Sequence, residues 1–503
     1  MSTQAGPIDE LVNYKKAILR DERRDTRIRN DIESTLEFLS QRKSAFISPN
    51  DNRSAGPFTP PAHTRSNTGL SNAMTYPQIS RPMEYFPANA YSNHNDMEKG
   101  SVDVKQGAHA PPAAHAPAAH HDDHHHISAG PHTFKERLKH FTFAWYAFTM
   151  ATGGVATILS VVPNRFPGLT GLGIFLFIFN LICFTLITIL MITRFAIYPE
   201  RLKPAFTNPH EGFFSATFWL SIATIMNNAV AYGIPNTGPW LVEGLRIGFW
   251  IYTIAVTFHA IIYYHVLFSV KKLVLTNVLP GWVLPIFPAM LVGTIASTIT
   301  KTQPQEHAIP ILVTGLTYQG LGFMVALMMY PLYFGRLLTS GLPIYLSRPA
   351  MFIAVGPPAF TGLAFIGMAQ DIQILKLFDG YTTLPGITNQ SLVPDMIALA
   401  ALMIAIFLWL FAFWAFAIAV IAMVDGLPHN DFHLNWYAKV FPNVGFTIAT
   451  IKIGERLGSN SIQLVGTGMA TVFFFAWLLI FIYHIRAYVQ HMICWPGRDE
   501  DAH

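Results

Sequence analysis

The chain has 503 residues, 51 % of them hydrophobic and 12 % charged, about half the charged share of an ordinary soluble domain. With 33 Lys plus Arg against 29 Asp plus Glu, and 2 Cys, the composition excludes nucleic-acid binding by bulk charge, a disulfide scaffold and a Cys-based zinc site. A polytopic membrane protein remains, for which 39 Phe, 10 Trp and 35 Gly are ordinary numbers.

Residues 1–133 are expected to form a disordered cytosolic arm, because they hold no apolar run and are rich in Pro, Ser, Asn, Ala and His. Residues 9–38 carry Leu11, Ile18, Ile28, Ile32 and Leu36 among dense charge, enough for a short surface helix. No apolar segment follows Met1, so no signal peptide is expected. The tract at 108–129 contains His120, His121, His124, His125 and His126. A drifting low-complexity repeat accounts for it without a metal, and no metal site or cofactor is expected.

From about residue 134 to 488 the chain changes character. Ten apolar segments follow, at about 141–162, 169–192, 213–232, 241–267, 283–299, 310–333, 351–368, 396–423, 440–453 and 464–485. Most approach the roughly 20 residues that a bilayer helix needs. The fifth, seventh and ninth are shorter or interrupted by Pro and Gly. The longest loop runs from Asp371 to Pro394 and contains a sequon at Asn389. A short cytosolic tail, 489–503, closes the chain.

Positive residues orient the set. One side collects Lys135, Arg137, Lys139, Arg194, Arg201, Lys203, Lys271, Lys272, Arg336, Arg348, Arg486 and Arg498. The other has Arg165, Arg246, Lys301, Lys376, Lys452 and Arg456. Both termini are therefore expected in the cytosol.

The segments fall into two classes. The eighth has no polar side chain besides two indoles, and the second is nearly as bare. The odd segments carry small polar residues at helical spacing: Thr142, Tyr146, Thr149 and Gly153; Thr217, Ser221, Thr224 and Asn228; Thr294, Ser297, Thr298 and Lys301; Asn443, Thr447, Thr450 and Gly454. Each stripe has a packing explanation, because small and hydroxylated residues let membrane helices approach closely. Recurrence on alternate helices points instead to a shared polar conduit. Pro285, Pro288, Pro357, Pro358 and Pro442 also interrupt odd segments, and broken helices at membrane depth often line ion and substrate sites. The expected fold is all-α: ten transmembrane helices as five hairpins around a central pore, the first helix of each facing inward.

The stretch from Lys139 to Gly154, KHFTFAWYAFTMATGG, resembles the first helix of the tellurite-resistance and dicarboxylate transporter family, and of its fungal malic acid transport branch in particular. Residues 441–454, FPNVGFTIATIKIG, resemble the ninth helix of that family, and Tyr318-Gln-Gly-Leu-Gly322 the sixth. The resemblance covers about 134–485. It implies a slow-anion-channel-like fold with an inner ring of five helices, an aromatic gate from the ninth helix and a homotrimer with one pore per subunit. It further implies transport of malate and related C4-dicarboxylate anions across the fungal plasma membrane. The family also contains sulfite efflux pumps, so export of a small inorganic anion is the alternative.

An anion pathway needs weak donors, because full pairing with Lys or Arg slows exit. The candidates are Thr142, Thr149, Ser221, Thr224, Asn228, Ser297, Thr361, Asn443 and Thr447, with Lys452 attracting anions at the mouth. By resemblance the gate is Phe441; Phe446, beside the Asn443/Thr447 stripe, competes for the role. Protons are a possible second partner. They would travel on the substrate as the monoanion or through a titratable group such as His259, His265 or His484. No HExxH, GxSxG, phosphate-binding loop or CxxC is present, so neither an enzyme nor an ATP-driven pump is expected.

Overall fold

The computed structural model describes residues 133–270, 273–377, 390–427 and 432–495. The expectations placed on the N-terminal arm, its His tract, the Asn389 sequon, Lys271, Lys272 and the end of the tail lie outside the described residues. Ten main helices follow in order: α1 (Tyr146–Val161), α2 (Leu169–Ile197), α3 (Ser215–Asn228), α4 (Trp240–Val270), α5 (Phe287–Ile299), α6 (Gln305–Ser340), α7 (Gly356–Leu375), α8 (Val393–Asp425), α9 (Phe441–Arg456) and α10 (Asn460–Val489).

Seven helical stretches are long and apolar enough to cross a bilayer. They are α2, α4, α6, α8 and α10, together with α1 and α7 when the tight turns before them are included. The remaining three, α3, α5 and α9, have 14, 13 and 16 residues, short of a full crossing by themselves. Each is extended by irregular helix: a π turn, Ala229–Gly233, follows α3, and 3-10 turns at Pro280–Val283 and Leu434–Lys439 precede α5 and α9.

Burial separates the helices as their composition does. The apolar windows of α1 and α7 are 78 % and 89 % buried, whereas those of the five long even helices are only 22–33 % buried. The odd helices pack on one another in a closed ring, α1 on α3, α3 on α5, α5 on α7, α7 on α9 and α9 back on α1. The even helices lie against this ring and present apolar side chains outward, among them Ile182, Phe258, Met328, Phe407 and Phe475. Sequence pairing holds for α2 on α1, α6 on α5, α8 on α7 and α10 on α9, but α4 packs more extensively on α5 than on its own neighbour α3.

Inward polar groups fasten each outer helix to the ring. Thr188 on α2 accepts from the Tyr146 hydroxyl at 3.1 Å. Tyr252 on α4 donates to the Pro288 carbonyl at 3.0 Å, and Gln319 on α6 donates to Thr361 at 2.8 Å. The indoles of Trp409 on α8 and Trp477 on α10 donate to Thr450 and Thr152 at 2.8 and 3.0 Å. A polar group in hydrocarbon is costly without a partner, so each bond fixes which face of an otherwise apolar helix turns inward.

The prolines act differently from expectation. Pro288, Pro357 and Pro442 stand in the first turns of α5, α7 and α9 rather than inside them. At that position the missing amide has no intrahelical acceptor to lose, and the fixed φ suits the helix. They mark where three ring helices begin, after preceding 3-10 segments that include Tyr345–Val355 before α7. At the same end, Arg194 makes a two-pronged ion pair with Glu211, and Arg348 ties the segment before α7 to Asp425 at 2.9 Å and to the Ala422 carbonyl at 2.7 Å. Arg246 pairs with Glu243 at 2.8 Å.

The contact of α5 with α6 depends on Gly293, where an added Cβ would lie 2.5 Å from Gln319 Oε1 and 2.9 Å from the Gly315 carbonyl oxygen. Gly293→Leu is expected to overpack this contact at a cost of about 1–3 kcal/mol. Its melting temperature in mild detergent should fall with the yield of folded protein; unchanged values of both would show that the helices tolerate separation there.

Candidate functional site

The ring encloses two cavities. The larger, about 180 Å³, lies among the C-terminal halves of the ring helices, and all five contribute to its wall. Thr157 and Gly154 come from α1, Thr224 and Asn227 from α3, and Thr294, Ser297 and Thr298 from α5; Gln370 and Asp371 come from α7 and Lys452 from α9. Lys301, just beyond α5, completes it. The smaller cavity, about 20 Å³, lies toward the other end, where Ala147, Met150, Phe287, Ile353 and Ala438 meet.

Phe441 borders both cavities. Its ring stacks on Phe360 of α7 with centroids 5.4 Å apart, and Phe287 of α5 meets the two edge-on at 6.1 and 5.8 Å. The first-turn prolines of α5 and α9 place Phe287 and Phe441 at the helix starts, against the narrow cavity. Gly154 lets α1 close on them, since a Cβ there would lie 2.7 Å from Val444 and 3.4 Å from the Phe441 ring. Three aromatic rings from three helices thus fill the interior between the cavities.

The helices run the same way around the ring, so their ends differ in polarity. The starts of α5, α7 and α9 face the narrow cavity with their positive dipole ends, which favour anions. The wide cavity faces negative helix ends, but Lys301 and Lys452 stand there. Lys452 also reaches Glu455 at 2.8 Å, a partly exposed pair of small energetic weight.

Most hydroxyls in the wide cavity have spent their protons. Thr224 donates to the Ser221 carbonyl, Ser297 to the Thr294 carbonyl and Thr157 to the Gly153 carbonyl, at 2.8, 2.8 and 2.9 Å. Returning a hydroxyl to the preceding turn is the ordinary behaviour of Ser and Thr in a helix. These residues present lone pairs, not donors. The Thr298 hydroxyl lies within hydrogen-bond distance of Asn227 Oδ1 and of the Ile295 carbonyl, both at 2.8 Å, and the Asn227 amide lines the cavity. The Thr294 hydroxyl is buried without a hydrogen-bond partner among the described residues. The donors for an anion are therefore Thr294, Asn227, Gln370 and the two lysines.

Of the residues singled out from sequence, Thr224, Ser297, Lys452 and Phe441 line the wide cavity. Thr149, Ser221 and Asn228 instead knit α1 to α3, through a 2.9 Å Thr149–Ser221 contact and an Asn228 amide on the Gly153 carbonyl at 2.8 Å. Thr361 receives Gln319 from α6. Asn443 and Thr447 bond back within the α9 segment, to Lys439 and Asn443 carbonyls, and Thr142 is buried just before α1. Phe446 packs against Trp409 and Phe416 of α8, with centroids 5.5 and 5.8 Å away, and borders neither ring cavity. His259 meets Ser215 and His484 meets Tyr437, both at 2.9 Å, outside the two cavities. Lys439, in the 3-10 turn before α9, lies 3.6 Å from the Trp436 ring.

Sequence reasoning missed Phe287, Phe360, Asn227, Gln370 and Asp371 as site residues. The signal for α7 was present: Phe360, Leu363, Gly367, Gln370 and Ile374 step by three and four. The helix continues to Leu375, past the expected end near Met368, and carries Asp371 into the interior at 2 % exposure instead of into a loop.

Comparison with known proteins gives this arrangement a family. The family described as SLAC1, voltage-dependent anion channel, matches residues 140–485. The chain is 35 % identical over 379 residues to the malic acid transport protein of Schizosaccharomyces pombe, covering 74 % of this chain and 84 % of that one. A putative malic acid transport protein of the same organism is 34 % identical over 370 residues, covering 73 % and 84 %. A sulfite efflux pump of Trichophyton rubrum is 26 % identical over 348 residues, covering 68 % and 90 %.

The aromatic partition has a direct test. Cys183 and Cys494 are free thiols and are first replaced by Ala. Ala438→Cys, in the narrow cavity, is then expected to resist a membrane-impermeant thiol reagent applied at the wide-cavity end. Adding Phe441→Ala should make it reactive. Equal protection with and without Phe441 would show that other side chains close the ring.

Proposed function

Because the chain belongs to the SLAC1 family of voltage-dependent anion channels, we propose that it moves malate and related C4-dicarboxylate anions across the fungal plasma membrane. In this reading ten helices cross the bilayer as five hairpins, and the space inside the ring is the pore. The partition of that space by Phe441, under a cavity holding two lysines, is the observation that carries the proposal. Anions enter the wide cavity, where Lys301 and Lys452 offset the negative helix ends. Thr294, Asn227 and Gln370 replace part of the hydration shell. Phe441 is the gate: while its ring rests on Phe360 and Phe287 the constriction is dry, and apolar constrictions block ions by excluding water. Beyond it, the dipole ends of α5, α7 and α9 hold the anion weakly enough for release.

Both termini face the cytosol, the wide cavity opens outward, and the protein assembles as a homotrimer through its apolar outer helices. Protons accompany transport either bound to the substrate, as the monoanion, or through a coupled group.

The second reading, efflux of sulfite, is supported by the more distant relatives and the small cavity. Labelled malate flux into reconstituted vesicles distinguishes the two. Malate is expected to accumulate faster with an inward-acid pH gradient and to be competed by succinate more strongly than by sulfite. Sulfite flux without malate flux would establish the second reading.

A further inference from the structure

Asp371 is an unusual residue for the wall of an anion pathway. It stands in the last turns of α7, is 2 % exposed, and its Oδ2 has no hydrogen-bond partner among the described residues. It lines the wide cavity with Lys301 and Lys452 and lies within the field of both, while among the described residues Lys452 pairs with Glu455 instead. A buried carboxylate is costly inside a membrane protein and persists where a cavity or a partner stabilises it. Arrangement of two cations and one anion around a space just large enough for a small solute leaves one positive charge for the solute to neutralise.

We propose that Asp371 sets the charge of the anion the cavity accepts, subtracting one unit from the two lysines so that singly charged anions are favoured over doubly charged ones. The inference rests on the wide cavity being the anion site of the proposed function. Several other charged groups on the elements packed around this end of α7 are already engaged. Glu455 holds Lys452 and Arg456 donates to Gln373 at 2.8 Å; Asp395 of α8 accepts from Gln373 at 2.9 Å; His307 and Glu306 of α6 pair with each other at 3.5 Å. None of these borders the cavity. Lys301, Lys452 and Asp371 are the charged residues that line the cavity itself, with Glu455 offsetting part of the Lys452 charge from outside it. Adding or removing one unit charge within a few ångströms changes the energy of a dianion twice as much as that of a monoanion.

The test uses two solutes of nearly equal size and different charge. At about pH 7.5 the carboxyl groups of both succinate and its monoamide, succinamate, are ionised, so one is a dianion and the other a monoanion. Flux of each into vesicles holding the full chain is measured for the parent protein, Asp371→Asn, Asp371→Glu and Lys452→Gln. The parent should favour succinamate. Asp371→Asn should raise the succinate-to-succinamate ratio roughly tenfold, Asp371→Glu should keep the parent ratio, and Lys452→Gln should lower it. A ratio unmoved in Asp371→Asn, in protein that still carries either solute, overturns the inference and leaves the anion pathway standing. If Asp371→Asn does not fold, an unmoved ratio in Lys452→Gln overturns it instead. A parent protein that carries neither succinate, succinamate nor malate defeats the proposed function itself.

Discussion

Polar side chains and irregular backbone cannot face lipid, and the rest of this structure follows from that constraint. Five helices carry the polar stripes, the first-turn prolines and the 3-10 and π turns. Three of them are too short to cross hydrocarbon as regular helix. Such segments are stable in a membrane only when enclosed, and the ring encloses them on one another while the long apolar helices shield the outside. The division is sharp in the burial of the two classes, 78 % and 89 % for α1 and α7 against 22–33 % for the five long helices. Because lipid tails are as apolar as leucine, hydrophobicity alone cannot orient the outer helices. Hydrogen bonds from Tyr146 to Thr188 and from Tyr252, Gln319, Trp409 and Trp477 to the ring contribute to that orientation.

Enclosure also creates the site. Close approach at Gly154 brings α1 against α9, and the ring interior narrows to three phenylalanine rings. The same prolines that start α5 and α9 put Phe287 and Phe441 at that level. On one side stand positive helix ends, and on the other two lysines and a carboxylate. Under the proposed function an anion meets favourable but incomplete compensation at either end, and no full set of strong partners that would hold it.

The two helix classes were legible in the sequence because they depend on side-chain periodicity. The packing of α4 on α5 was not, because no local pattern encodes which neighbour an apolar helix chooses. The polar stripes located the inner helices correctly but overstated the number of donors. Whether Thr224 or Ser297 offers a proton depends on its χ1 rotamer and the carbonyl one turn back, not on residue type. Asp371 looked like the start of a loop because a carboxylate normally ends an apolar run. Lys301 and Lys452, which line the cavity with it, come from segments distant in the chain. Phe441 and Phe446 lie five residues apart, and only the position of α8 decides that Phe446 faces Trp409 and Phe416 while Phe441 faces the interior.

That difference between two rings on one helix offers the most direct measurement. Anion current, normalised to protein at the cell surface, should rise several-fold in Phe441→Ala, where an apolar plug is lost. In Phe446→Ala the current per molecule should stay level and the surface amount should drop, as expected for a packing cavity costing about 3–5 kcal/mol. Raised normalised current in Phe446→Ala with none in Phe441→Ala would contradict the account and place the closure elsewhere in the ring.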